Sequence, residues 1–153
     1  MPDKPPAKPP AKPPAWMVKA LVAVHVALYR WSGGAIGGKF GRGPVGLLTV
    51  RGRKSGKLLT IPLIYIPTDR GYAVIASYRG APTHPAWYLN LKAAGAATLT
   101  VGRRETSIRV EEPEIGGDRY KAIWRDGVAV YPAYDDYQAR TSRPIPVVEL
   151  ITA

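Results

Sequence analysis

The pattern of apolar and polar positions divides the chain into two regimes. Residues 16–31 (WMVKALVAVHVALYRW) are apolar or aromatic at thirteen of sixteen positions, which predicts a helix. At ~1.5 Å per residue it spans roughly 24 Å, short of the ~30 Å a membrane core requires. Lys19 and Arg30 fall about 20° apart on its helical wheel, Leu21, Leu28 and the valines fill the rest, and Trp16 and Trp31 stand at the ends. Beyond a glycine-rich connector the period changes to two. Residues 45–50 read as a strand, 51–57 as a turn, 58–66 as the returning strand and 72–77 as a further strand. A proline-initiated helix is expected over 85–94, and a hairpin over 97–101 and 106–110 turning at Gly102-Arg103-Arg104. Helices over 117–126 and 131–141 and a last strand over 147–151 complete the reading. Short antiparallel strands with few helices predict a mainly β (α+β) domain, a small barrel with inserted helices. The alternating βαβ order of a dinucleotide-binding domain is absent.

Composition sharpens this outline at the N-terminus. Seven of the 16 prolines lie in residues 1–15, a near-repeat of Lys-Pro-Pro-Ala that reads as a polyproline spacer without a core of its own. Three segments result: spacer 1–15, apolar amphipathic helix 16–31, and folded domain 32–153. Of the formal +11 charge, residues 1–57 supply +10, from eleven Lys/Arg against Asp3. An anionic membrane surface is therefore the expected partner of residues 1–31, with the helix lying in the interface. A secretory signal is the competing reading; Lys19 and His25 interrupt its apolar run and no small-residue cleavage site follows. Nucleic-acid binding is not expected, because the excess charge sits in a tail rather than on a folded face with stacking aromatics. With no Cys and only two His, thiolate and three-histidine metal sites are excluded, and no metal is expected.

Several segments carry candidate chemistry. Gly52-Arg53-Lys54-Ser55-Gly56-Lys57 sets two glycines, three cations and a hydroxyl on one turn, a set that holds phosphate or carboxylate. It lacks the spacing of a nucleotide-binding phosphate loop, and a plain solvated turn is the competing reading. Gly33–Gly38 reads as a flexible connector, and His25 as a passenger on its helix. Tyr131, Tyr134 and Tyr137, three apart, place three phenols on one helix face, able to stack on a flat ring or to pack as core. Ser77 ends a strand at the expected barrel mouth, and a Ser–His hydrolase finds no support beyond His84 nearby.

Taken together, these segments resemble the deazaflavin-dependent nitroreductase family, split β-barrel oxidoreductases that use coenzyme F-420. The residues that carry the resemblance are Gly38-Lys39-Phe40, Pro44 to Thr49, Gly52 to Gly56, Pro62-Leu63, Ala76-Ser77, Pro85 with Trp87 to Lys92, Tyr131 to Gln138, and Ile145 to Val148. They run in order from about residue 17 to 150, and the proline tail lies outside them. The resemblance implies a split, FMN-binding-like β-barrel preceded by a helix. It implies that Arg53, Lys54, Ser55, Gly56 and Lys57 meet the phosphate and glutamates of F-420. Pro62, Leu63, Ala76 and Ser77 would border the ring, with Trp87 and Asn90 in support.

It further implies hydride transfer to a quinone or similar planar acceptor. Ser77 and Tyr134 are then the candidate hydrogen-bond or proton donors, and Ile64, Tyr65, Tyr131 and Tyr137 the walls of the substrate pocket. Two departures, Ile64 directly after Pro-Leu and Tyr78 after Ala-Ser, speak against nitroimidazole reduction. A non-catalytic F-420 carrier and an FMN-binding split barrel remain alternatives. The expected setting is cytoplasmic, peripheral to the inner face of the membrane, and pairing into a homodimer is left open.

Overall fold

The structure, a computed structural model, describes residues 11–152. Helix α1 (Ala15–Ser32) comes first and ends on Gly33, whose φ of 63° is the left-handed conformation that stops a helix. Strands β1 (Lys39–Phe40), β2 (Gly43–Arg51), β3 (Leu58–Ile64), β4 (Ile66–Thr68) and β5 (Gly71–Ile75) follow. Helix α2 (Ala86–Ala94) leads into the hairpin β6 (Ala96–Val101) and β7 (Arg104–Glu111), then α3 (Asp118–Val130), α4 (Ala133–Ala139) and β8 (Val147–Thr152). Most of the spacer expected over 1–15 lies outside the described residues.

All pairings are antiparallel, in the order β1-β2-β6-β7-β8-β5-β4, with β3 on the other side of β2. Strand β3 pairs only with β2, and β5 only with β4 and β8. The short β4 covers only residues 71–73 of β5, so the barrel is split where β3 faces the open end of β5, at Val74 and Ile75. Pro62, which has no amide donor, lies in β3 and suits a strand with one unpaired edge.

Strand β2 reads as an almost unbroken apolar run because it is covered on both faces. Leu48 and Val50 join Val74, Leu91, Leu99, Val148 and Leu150 inside the barrel, whereas Leu47 packs against Val26 and Tyr29 of α1. A second core joins Ile66, Ile75, Ile145 and Val147 to Ile123 of α3 and Tyr134 of α4. Glu149 on β8 is buried and held by Arg70 and Arg119. A buried carboxylate survives only with such partners.

Two expectations need correction. Helix α1 is built into the domain rather than lying beside it: Tyr29 is 1% exposed, and its hydroxyl accepts a hydrogen bond from the Gly102 amide at 2.8 Å. The glycine connector is a close-packed turn rather than a loose link. A Cβ on Gly38 would lie 2.0 Å from the Gly34 carbonyl oxygen, so only glycine fits there.

Candidate active site

Along the β3/β5 seam lies a cavity of about 530 Å³, within the range of cofactor and substrate sites. Strand β3 contributes Pro62, Leu63 and Ile64, strand β5 contributes Val74 and Ile75, and α2 contributes Trp87. Ser77, Tyr78 and Arg79 form one rim, and Tyr131, Tyr134, Tyr137 and Arg140 the facing wall. His25, Phe40 and Val45 complete the lining.

The rim is strained. The strand expected over 72–77 stops at Ile75, and Ser77 caps a single 3-10 turn, Tyr78–Gly80. Within it Tyr78 (φ 45°) and Arg79 (φ 54°) adopt left-handed conformations, each costing about 1–3 kcal/mol unless the surroundings impose it. Arg143 does the imposing. Its guanidinium donates to the carbonyls of Ser77 and Ala81 at 2.8 Å each and of Ala76 at 3.4 Å. It also donates to His84 Nδ1 at 3.3 Å, so that nitrogen is the imidazole's acceptor and the ring is neutral. Burial first, then the Arg143 charge, lowers the His84 pKa. His84 is thus engaged away from Ser77, which removes the hydrolase reading.

The tyrosine wall forms differently from the expectation. Tyr131 closes α3 in extended conformation, Pro132 follows, and α4 begins at Ala133, so the three tyrosines do not share one helix. They converge all the same, with ring centroids 5.2–6.4 Å apart. The Tyr131 and Tyr137 hydroxyls bond each other at 3.1 Å. Tyr134 is 4% exposed and lines the cavity, yet its hydroxyl bonds no described residue. None of the described buried side-chain oxygens is without a partner, so this hydroxyl reaches the cavity surface. Burial pushes its pKa well above the ordinary phenol value, which keeps the proton on oxygen. The wall therefore offers the Tyr134 O–H, free of any partner among the described residues, beside a Tyr131–Tyr137 pair in which one hydroxyl donates and the other accepts.

The basic turn lies between β2 and β3, closed by hydrogen bonds from Gly52 N to Lys57 O and from Gly56 N to Gly52 O, both 2.8 Å. Gly56 has φ 69°. Asn90 does not line the cavity. Its Oδ1 accepts from the Arg53 amide at 3.1 Å and from Arg53 Nη1 at 2.8 Å, tying the turn to α2, whose Trp87 does line it. Ser55 Oγ accepts from the Lys57 amide, leaving its own proton free to donate. Among the described residues no ion pair uses Arg53, Lys54 or Lys57.

Two further expected positions fall outside the cavity lining. Ala76 is fully buried in the barrel core behind Ser77. Tyr65 turns to the opposite face, edge-on to Tyr72 at 5.3 Å and above Gly46. The sequence reading gave no site role to His25, Phe40, Val45, Arg79, Arg140 or Arg143. His25 carried a signal as a polar ring on an apolar helix, and Phe40 and Val45 stood within the segments of the resemblance.

An apolar slot beside an unpaired cationic turn suits a flat ring with an anionic tail, which defines a split-barrel cofactor-binding protein. The chain belongs to the F-420H(2)-dependent quinone reductase family, whose model matches residues 21–151. It is 35% identical over 134 residues to the F-420H(2)-dependent quinone reductase Rv1261c of Mycobacterium tuberculosis, spanning 85% of this chain and 89% of that one. Among solved structures, the F-420-H2-dependent reductase FDR-A superposes with a TM-score of 0.61 at 37% identity, over 69% of this chain and 91% of that one. Another, a domain-swapped dimer, gives 0.65 at 31% identity over 87% of this chain and 95% of that one.

Proposed function

We propose that the protein is an oxidoreductase that reduces a quinone with hydride from F-420. The observation that carries this reading is the continuity from the cationic turn, through Asn90 and α2, to the seam cavity with its free Tyr134 hydroxyl. Reduced F-420, when bound, supplies two electrons as hydride from a ring carbon.

The chain's own residues bind, orient and polarise. Lys54, Lys57, the Ser55 hydroxyl and the turn's amides hold phosphate and carboxylate groups. Pro62, Leu63 and Trp87 give the ring an apolar bed, and Ile64, Tyr131 and Tyr137 wall the acceptor. The Tyr134 and Ser77 hydroxyls donate to the acceptor oxygen that becomes negative as hydride arrives. With the two hydroxyls sharing that oxygen, losing either should cost about 1.4 kcal/mol of barrier, tenfold in rate.

Replacing Lys54 with alanine should weaken F-420 binding about tenfold in low-salt buffer, with the loss shrinking as salt screens the charge. Fluorescence titration of F-420 measures it, and an unchanged dissociation constant removes the turn from the site.

The outer face of α1 supports a peripheral membrane role. Trp16, Leu21 and Trp31 are 69%, 63% and 76% exposed, with Lys19 and Arg30 beside them. Among the described residues no helix is long and apolar enough to cross a membrane, so the helix would lie in the interface. Because α1 is also core, removing residues 1–31 would damage the domain; point changes are the proper test. The triple change Trp16→Ser, Leu21→Ser, Trp31→Ser should abolish sedimentation with anionic liposomes while leaving the melting temperature nearly unchanged. Undiminished sedimentation would remove α1 as the docking face.

A further inference from the structure

We propose that His25 delivers the proton that completes quinone reduction, an inference that rests on the quinone-reductase reading above. A quinone that accepts hydride gains one hydrogen and both electrons, and one of its oxygens is left as an anion. A proton must then form the second O–H bond. The donor has to face the cavity and exchange its proton near neutral pH.

The ionisable groups of the cavity narrow to one. Arg79 and Arg140 do not release protons in proteins. The phenols of Tyr78, Tyr131, Tyr134 and Tyr137 serve as hydrogen-bond donors rather than as carriers of a labile charge. The pKa of Tyr131 is pushed up by its bond to Tyr137, and that of Tyr134 by burial. No Asp, Glu or Lys lines the cavity. His25 is the one lining side chain with a second ring nitrogen that can carry a proton in and give it up.

The local geometry fixes which nitrogen acts. His25 Nε2 lies 2.8 Å from the Gly37 carbonyl oxygen. A carbonyl only accepts, so Nε2 keeps its hydrogen, and Nδ1 is the atom that gains and loses a proton. The ring fits because residue 37 is glycine. A Cβ there would lie 2.6 Å from Nε2 and 2.7 Å from Cδ2, and the backbone has φ 79°.

The surroundings bring no acid to the imidazole. On α1 itself Val22, Leu28 and Tyr29 stand one turn away, the Tyr29 hydroxyl accepting from the Gly102 amide, and the exposed Arg30 donates to Thr60 of β3. The 33–38 turn has no ionisable side chain, β1 and β2 offer Phe40 and Val45, and β3 offers Ile64. The charges facing it across the cavity are Arg79 and Arg140. In the step, the Nδ1–H bond breaks as the quinone O–H bond forms. Neutral imidazole then takes a proton from solvent at the cavity mouth.

The test compares two acceptors in the full chain with reduced F-420. Menadione needs the proton; the N-methylphenazinium cation becomes neutral on taking hydride and needs none. His25→Gln keeps an N–H for the Gly37 carbonyl but cannot carry a proton across. It should lower menadione kcat about a hundredfold, and change phenazinium kcat less than about twofold on the same scale.

Independent of turnover, nitrogen NMR of histidine-labelled protein with oxidised F-420 should show the Nε2–H form of His25 and a shift on adding menadione. Equal losses on both acceptors would make His25 a structural tie and overturn the proposal, as would full menadione activity or an Nδ1–H ring. A wild-type enzyme that reduces the phenazinium but no quinone would instead overturn the quinone reading beneath it.

Discussion

Replacing Tyr134 by phenylalanine should lower kcat and kcat/KM together, by about tenfold or roughly 1.4 kcal/mol, with F-420 affinity nearly unchanged. The ring is packed against Ile66, Ile75 and Ile123 and stays in place, so its packing survives. Only the O–H is lost, and that O–H has no other partner among the described residues. Its bond strengthens as the acceptor oxygen becomes negative, so the loss falls on the transition state rather than on binding. Tyr131→Phe and Tyr137→Phe are the comparisons, since those hydroxyls already share one hydrogen bond with each other. Ser77→Ala should behave as Tyr134→Phe does if the two hydroxyls share one oxygen, with the double variant losing less than the sum. Wild-type kcat in Tyr134→Phe would strike it from the mechanism.

The second large effect is expected at Arg143, which does not line the seam cavity. Arg143→Gln removes the fork that bridges the carbonyls of Ala76, Ser77 and Ala81. Losing hydrogen bonds to a charged group costs about 1.5–3 kcal/mol of stability, and the strain at Tyr78 and Arg79 then favours relaxation of the turn. Ser77 moves with it, so turnover should fall more than stability alone explains. Arg143→Lys should not rescue it, because an ammonium cannot span several carbonyls in one plane.

The same contact sets a pH dependence. The folded state lowers the His84 pKa, by burial and then by Arg143 and Lys92, with Glu112 opposing. The unfolded chain therefore takes up a proton first. Stability is fully present above the ordinary imidazole value of about 6.5, and is lost as pH falls through it toward the lower folded value. Thermal melts across this window should show the loss, and His84→Asn should remove it. A slope unchanged in that variant would assign the dependence elsewhere.

Much of this fold was legible in period and punctuation. The hairpin of β2 and β3 followed from apolar runs around Gly52-Arg53-Lys54-Ser55-Gly56, and α2 from Pro85 and its apolar spacing. The barrel's split was not legible, because it depends on which strands fail to pair, and Pro62 hints at that only once the neighbours are known. The left-handed turn at Tyr78 and Arg79 was invisible because neither residue favours it; Arg143, sixty-odd residues on, compels it. The resemblance placed Ala76 at the ring and Tyr65 in the substrate wall beside Ile64, but packing turns both into the barrel core. His25 looked like a passenger because nothing local shows that Gly37 folds back against it.

The most direct test of the central claim is a cofactor titration followed by turnover. Purified full-length protein is titrated with F-420 and, separately, with FMN in low-salt buffer, then mixed with reduced F-420 and menadione under anaerobic conditions. The account predicts tighter binding of F-420 than of FMN and a protein-dependent return of F-420 fluorescence as menadione is reduced. Preference for FMN, or F-420 binding with no oxidation by menadione beyond the protein-free rate, would contradict it.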